Sequence, residues 1–138
     1  MDDALTRTSD LSRTIVNGLF ARINRHGRSR NDRIRRHVGR YWVALRSDAQ
    51  DRVFAEIRPH RRHVEVFILP RPKDLRDPHR LARRAPKTQG WGWFRARFHV
   101  ASVDRVPWAY ELIRQSYEDG GRGNGPGSRG VRSRPQRL

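Results

Sequence analysis

Three side chains close together in the sequence, His60, His63 and Glu65, are of types that ligate metal ions. Arg58, Arg61 and Arg62 flank them and repel a cation, so the spacing predicts a solvated basic loop rather than a metal site. A second pair, Glu56 and Glu65, falls on two runs that read as hairpin-paired strands. Clustered carboxylates can hold the metal of a nuclease, usually with a lysine nearby. Strand alternation sets both glutamates opposite Val53, Ile57, Val64 and Val66, which predicts that they face solvent as surface charge partners of Arg58 and Arg95. Ser116 has no base near it, and packing or helix-end hydrogen bonding accounts for it better than nucleophilic attack. Gly90-Trp91-Gly92 is too short for a phosphate loop and precedes a strand. With no cysteine, disulfides, thiolate metal sites and cysteine nucleophiles are excluded. The expectation is a chain without catalytic residues, metal or cofactor.

Charge offers a different chemistry. The net charge of +17 and pI near 11.8 suit a polyanion partner, and in a cell that is most often nucleic acid. All the basic residues except Lys73 and Lys87 are arginine, whose planar fork of donors matches phosphate. The codon usage of a GC-rich genome produces the same skew without selection for binding. Residues 119–138 hold five arginines against Asp119, a net +4, which leaves +13 of the +17 on the rest. The candidate phosphate contacts are Arg33, Arg35, Arg36, Arg61, Arg62, Arg95 and Arg97. Trp93, with Trp91 two residues before it, is the candidate stacking platform, unless a tryptophan caps the small core instead.

These residues need elements to position them. Ser9 or Asp10 caps a helix in which Leu11, Ile15, Leu19 and Ile23 recur every four residues, with Val16 and Phe20 beside them and Gly27 as a stop. Gly18 inside it suggests a close neighbour. The arginine-dense segment 28–40 reads either as a poor edge strand containing Ile34 and Val38 or as a loop. Three strands follow, Tyr41–Arg46, Val53–Arg58 and Val64–Leu69, with inward sets Tyr41/Val43/Leu45, Val53/Ala55/Ile57 and Val64/Val66/Ile68. Pro59–Arg62 joins the last two as a hairpin loop. Asp77-Pro78 predicts a short helical turn over 78–84. In the final strand Phe94, Ala96, Phe98 and Val100 point inward, while Trp93, Arg95, Arg97 and His99 point out. Ser102 or Asp104 caps a last helix whose face is Val106, Ala109, Ile113 and Tyr117.

The whole reads as one α+β domain at residues 9–118, an antiparallel sheet of about four or five strands with an N-terminal and a C-terminal helix packed on it. Residues 1–8 lack a period and are expected to fray. Residues 119–138, glycine- and arginine-rich like short RGG segments, are expected to be disordered. The polar start and an apolar run no longer than Tyr41–Leu45 predict neither a signal peptide nor a membrane span, and a cytoplasmic location by default.

The runs Tyr41–Arg46, Val53–Ile57 and Val64–Pro70 resemble the domain-of-unknown-function family 5655. So do Leu75-Arg76-Asp77-Pro78, the Gly90-Trp91-Gly92 turn and the ending Leu112–Glu118. The resemblance spans roughly residues 11–118, and its motifs are structural. The last strand, helix and Ser116-Tyr117 ending are also similar to MmcQ/YjbR-like domains, whose fold is likened to double-wing DNA-binding domains. That resemblance implies DNA binding by analogy of fold. The leading expectation is a non-enzymatic nucleic-acid-binding module, DNA favoured. The main alternative is an interaction domain that docks an acidic protein partner such as a nuclease-like subunit.

Overall fold

The computed structural model describes residues 3–86 and 93–119. Helix α1 spans Asp10–Ser29, and the Ser9 hydroxyl caps it by accepting from the Ser12 N–H. Its buried face is Ser12, Ile15, Val16, Leu19, Ile23 and Gly27. Leu11 is 37% exposed and does not join the stripe. A strict four-residue spacing drifts about 40° per step around the helix, so its first member swings off the packed face. Gly27 is not the stop either. A Cβ there would come within 2.6 Å of the Ile34 side chain, so the glycine permits a close approach. The chain leaves the helix at Asn31, whose φ of 55° is one that asparagine tolerates.

Six strands form one antiparallel sheet in the order β1-β2-β3-β4-β6-β5. They are β1 Ile34–Val38, β2 Val43–Ser47, β3 Arg52–Pro59, β4 Val64–Ile68, β5 Arg83–Arg84 and β6 Ala96–Val100. The arginine-dense segment thus does form an edge strand, and β5 forms the other edge, giving six strands where the sequence reads as four or five. The helical turn expected over 78–84 is absent. The Asp77 carboxylate accepts from the N–H groups of Leu81 and Ala82, at 3.0 and 2.8 Å, so the capping chemistry closes a loop. Arg83 and Arg84 then pair with Arg97 and Ala96.

Helix α2, Val106–Asp119, packs beside α1 on one face of the sheet and buries Val106, Ala109, Leu112, Ile113, Ser116 and Tyr117. That face carries Val43, Leu45, Ala55, Ile57, Val64, Val66, Ile68, Ala96, Phe98 and Val100. Phe54 is an extra residue: Leu45 faces Ala55 and Arg46 faces Val53, so β3 bulges between them. The bulge brings Phe54 into the core with Ala55 and leaves Val53 only half-buried, opposite Arg46, which corrects the expected Val53/Ala55/Ile57 set. The Ser116 hydroxyl donates to the Phe54 carbonyl at 2.6 Å and accepts from the Leu69 N–H at 3.0 Å. Tyr41 lies outside β2 and is 56% exposed, not inward, because the Gly39 N–H bonds the Trp42 carbonyl and turns the chain there.

At the sheet end where both helices finish, the buried Asp32 carboxylate accepts from Ser47, from the Ala49 N–H and from the Tyr117 hydroxyl. Burial and the hydrogen bond to Asp32 push the Tyr117 phenol well above its ordinary pKa. Among the described residues no helix is long and apolar enough to cross a membrane. The Gly90-Trp91-Gly92 turn and the tail from Gly120 lie outside the described residues.

Candidate nucleic-acid interface

Three chain segments distant in sequence meet at the other end of the sheet. The Ala4 N–H donates to the Gly39 carbonyl at 2.8 Å, tying down a segment for which the lack of a period predicts fraying. Thr8 and Ser12 donate to the His60 carbonyl, and Ser9 donates to the Arg61 carbonyl at 2.7 Å. The start of α1 is thereby bolted to the β3–β4 loop. Between these segments lies an open cleft of about 530 Å³, whose lining includes Arg7, Arg40, Tyr41, His60 and Arg61. The guanidinium groups of Arg7 and Arg40 sit 5.2 and 5.7 Å from the Tyr41 ring centroid, within cation–π range. Arg62 is exposed on the same loop as Arg61. Among the described residues no carboxylate forms an ion pair with Arg7, Arg40, Arg61 or Arg62, whereas most surface acids are already paired elsewhere.

Behind the loop stands a stack of histidines. The His60 and His63 ring centroids are 4.6 Å apart, and those of His63 and His99 are 4.4 Å apart. One carboxylate serves them: Glu65 lies 3.2 Å from His60 Nε2, 3.7 Å from His99 Nε2 and 3.1 Å from an Arg97 donor. Burial pushes the Glu65 carboxyl up, but hydrogen bonds from His60 and Arg97 and the nearby histidine charges outweigh it and hold it below the usual range. Burial, and then the neighbouring His99 and His60, lower His63. Among the described residues no three His, Cys, Asp or Glu side chains are arranged to hold a metal ion. The rings stack rather than converge.

The arginines singled out in the sequence do not form one patch. Arg61 lines the cleft and Arg62 flanks it. Arg33 is exposed at the opposite end of the sheet, and Arg35 beside it is gripped by Asp48 through bonds of 2.8 and 2.9 Å. That contact, chiefly the hydrogen bond, holds Asp48 below the usual carboxylate range. Arg36 points to the helix side, bonded to Asn17 at 2.7 Å and lying over Phe20. Arg95 is exposed among Arg71, Lys73 and Arg84 around a second cleft of about 670 Å³. Arg97 is held by Glu65, and Trp93 is half-buried against the core rather than a free platform.

Glu56 also departs from expectation. It is 1% exposed, not solvent-facing, because its cross-strand neighbours on the outer face are Ala44 and the buried Phe67, and the Arg58 guanidinium lies over Phe67 and Trp42. Alternation identifies a residue's face, but not whether that face is covered. Glu65, next to it on the same face, has a side chain only 12% exposed.

Composition and spacing alone do not mark Arg7, Arg40, Tyr41 or His99 as candidate interface residues. Gly39 ahead of Arg40 and Tyr41 is a turn signal that would have moved Tyr41 out of the strand. His99 joins His60 and His63 only through the β4–β6 register, which sets Glu65 opposite it. The sequence matches no protein-family model, no curated protein and no solved structure.

Proposed function

We propose that the chain is a non-enzymatic nucleic-acid-binding module, with DNA favoured, and that the cleft at the β3–β4 end of the sheet is its contact surface. The observation that carries this reading is a cleft lined by Arg7, Arg40, Arg61 and the exposed Tyr41, with Arg62 on the adjoining loop and no carboxylate ion-paired to these arginines among the described residues. Four guanidinium groups placed by three braced segments are suited to phosphates, and Tyr41 offers a ring for an unstacked base. Phosphate contacts of this kind are sequence-tolerant, so affinity is expected to depend strongly on salt. We take residues 11–118 to be a divergent relative of family 5655, and the likeness of the last strand, helix and Ser116-Tyr117 ending to MmcQ/YjbR-like domains is what favours DNA over RNA.

The test is an anisotropy titration with labelled duplex and single-stranded DNA at several salt concentrations. Neutralising four phosphates of a duplex gives a log–log slope near −3.6, from about −0.9 per phosphate. Absence of binding to both forms at low salt overturns the proposal and turns attention to an acidic protein partner.

A further inference from the structure

The histidine stack lies directly under the proposed cleft, and His60 belongs to both. We infer that His60, His63 and His99 form a proton-dependent gate on this surface, so that polyanion binding strengthens as the histidines take up protons. The inference rests on the nucleic-acid reading of the same cleft and adds its regulation.

The geometry supplies the coupling. Two rings packed on a third at 4.6 and 4.4 Å cannot all carry charge without mutual repulsion. The groups around them are mostly cationic as well. The loop supplies Arg61 and Arg62, and β3 supplies Arg58, which pairs in register with Glu65. Strand β6 supplies Arg97, the segment leading into β5 supplies Arg80 and β5 supplies Arg83, and these line a hollow with His99. Asp10 at the start of α1 is engaged with Arg13. Glu65 is the carboxylate in reach of the stack, and Arg97 already holds one of its oxygens.

Burial and the adjoining His99 and His60 rings hold His63 below its ordinary range. A phosphate chain laid along Arg7, Arg40, Arg61 and Arg62 brings the missing negative charge. By linkage, a ligand that favours the protonated form must itself bind more tightly where that form is populated. Protonated His60 and His99 also bind Glu65 more strongly, which loosens its hold on Arg97 and adds a guanidinium to the surface. A histidine that titrates below its ordinary range makes this response fall on the acidic side of neutrality.

The experiment measures affinity of the full chain for labelled duplex DNA at constant ionic strength, from about pH 8 down to about pH 5.5, across the histidine range. Wild-type affinity is expected to rise about tenfold per pH unit for each proton taken up. His63→Gln combined with His99→Gln is expected to match wild type at the alkaline end and to lose most of the rise. NMR titration of the histidine rings of the wild-type chain, with and without DNA, gives a second readout that needs no variant: the ring pKa values should move up when DNA is bound. Binding that is salt-dependent but flat with pH, or ring pKa values unmoved by DNA, overturns the gate and leaves the nucleic-acid reading standing. Absence of binding at every pH overturns both.

Discussion

The two ends of this sheet treat their arginines in opposite ways. Where the helices finish, most of the cations on the sheet have an acid. Arg35 and Arg46 share Asp48, Arg46 also reaches Asp51, Arg30 binds Glu118 at 2.7 Å, and the buried Arg52 lies 4.0 Å from Asp119. His26 adds a 2.7 Å contact to Glu118. At the β3–β4 end, Arg7, Arg40 and Arg61 line a cleft, with the exposed Arg62 beside them, and none has such a partner among the described residues. The lesson concerns net charge. A high arginine content says that a chain attracts polyanions, but only the arginines left uncompensated by the fold say where.

The strongest way to break the comparison is to reverse the open end. Arg7→Glu, Arg40→Glu and Arg61→Glu together are expected to weaken duplex binding about a thousandfold or more, at roughly 1.5–3 kcal/mol per charged contact. Arg33→Ala with Arg35→Ala at the balanced end is expected to change affinity by no more than about threefold, because Arg35 is already engaged by Asp48. Anisotropy under one salt condition checks both, and equal losses from the two variants would dissolve the distinction between the ends.

At the balanced end the expected effects are on stability. Ser116→Ala strands the Leu69 N–H and the Phe54 carbonyl in a buried place, which is expected to cost about 2–3 kcal/mol by urea denaturation. Gly27→Ala pushes a methyl against Ile34 and is expected to cost about 1–2 kcal/mol. Gly18→Ala meets Val106 at an ordinary 3.6 Å, so the gain in helix propensity prevails and stability rises by up to about 1 kcal/mol. Smallest of all is the effect of removing the tail after Asp119. Affinity is expected to fall only about twofold to threefold, since the cleft side chains already held in place supply most of the charged contacts.

Much of the fold was legible in the residues. The inward sets of β4 and β6, the α2 face and the Ser9 cap all follow from period and turn chemistry, and Ser116 does act through hydrogen bonds at its packing site. What escaped was non-local or set by a single irregularity. Phe54 alternates correctly only once the bulge is known, and the bulge depends on β2 lying alongside. Two-residue β5 has too short a run to show a period. Of the site, Arg61 and Arg62 were legible as exposed loop cations. Arg36 was not, because its contact with Asn17 and Phe20 depends on α1 crossing behind β1. Tyr41 was misplaced because an apolar run continued across a turn that only Gly39 marks.

The bulge at Phe54 also sets how the sheet tolerates changes in length. Beyond it the β2–β3 ladder is out of phase by one residue, so Arg52 faces the helices opposite Ser47 while Glu56 faces outward beneath Arg58. Deleting a single residue at this point would bring the two halves of the strand back into step. Val53 would stay opposite Arg46 and Arg52 opposite Ser47, so both faces keep their residues, and the loss falls on the core, where the Tyr117 ring would lose the edge-on partner it has at 5.3 Å. Removal of the extra residue therefore costs one core ring and leaves the pairing on either side intact. Elsewhere in β3 the same deletion would turn every residue beyond it to the opposite face.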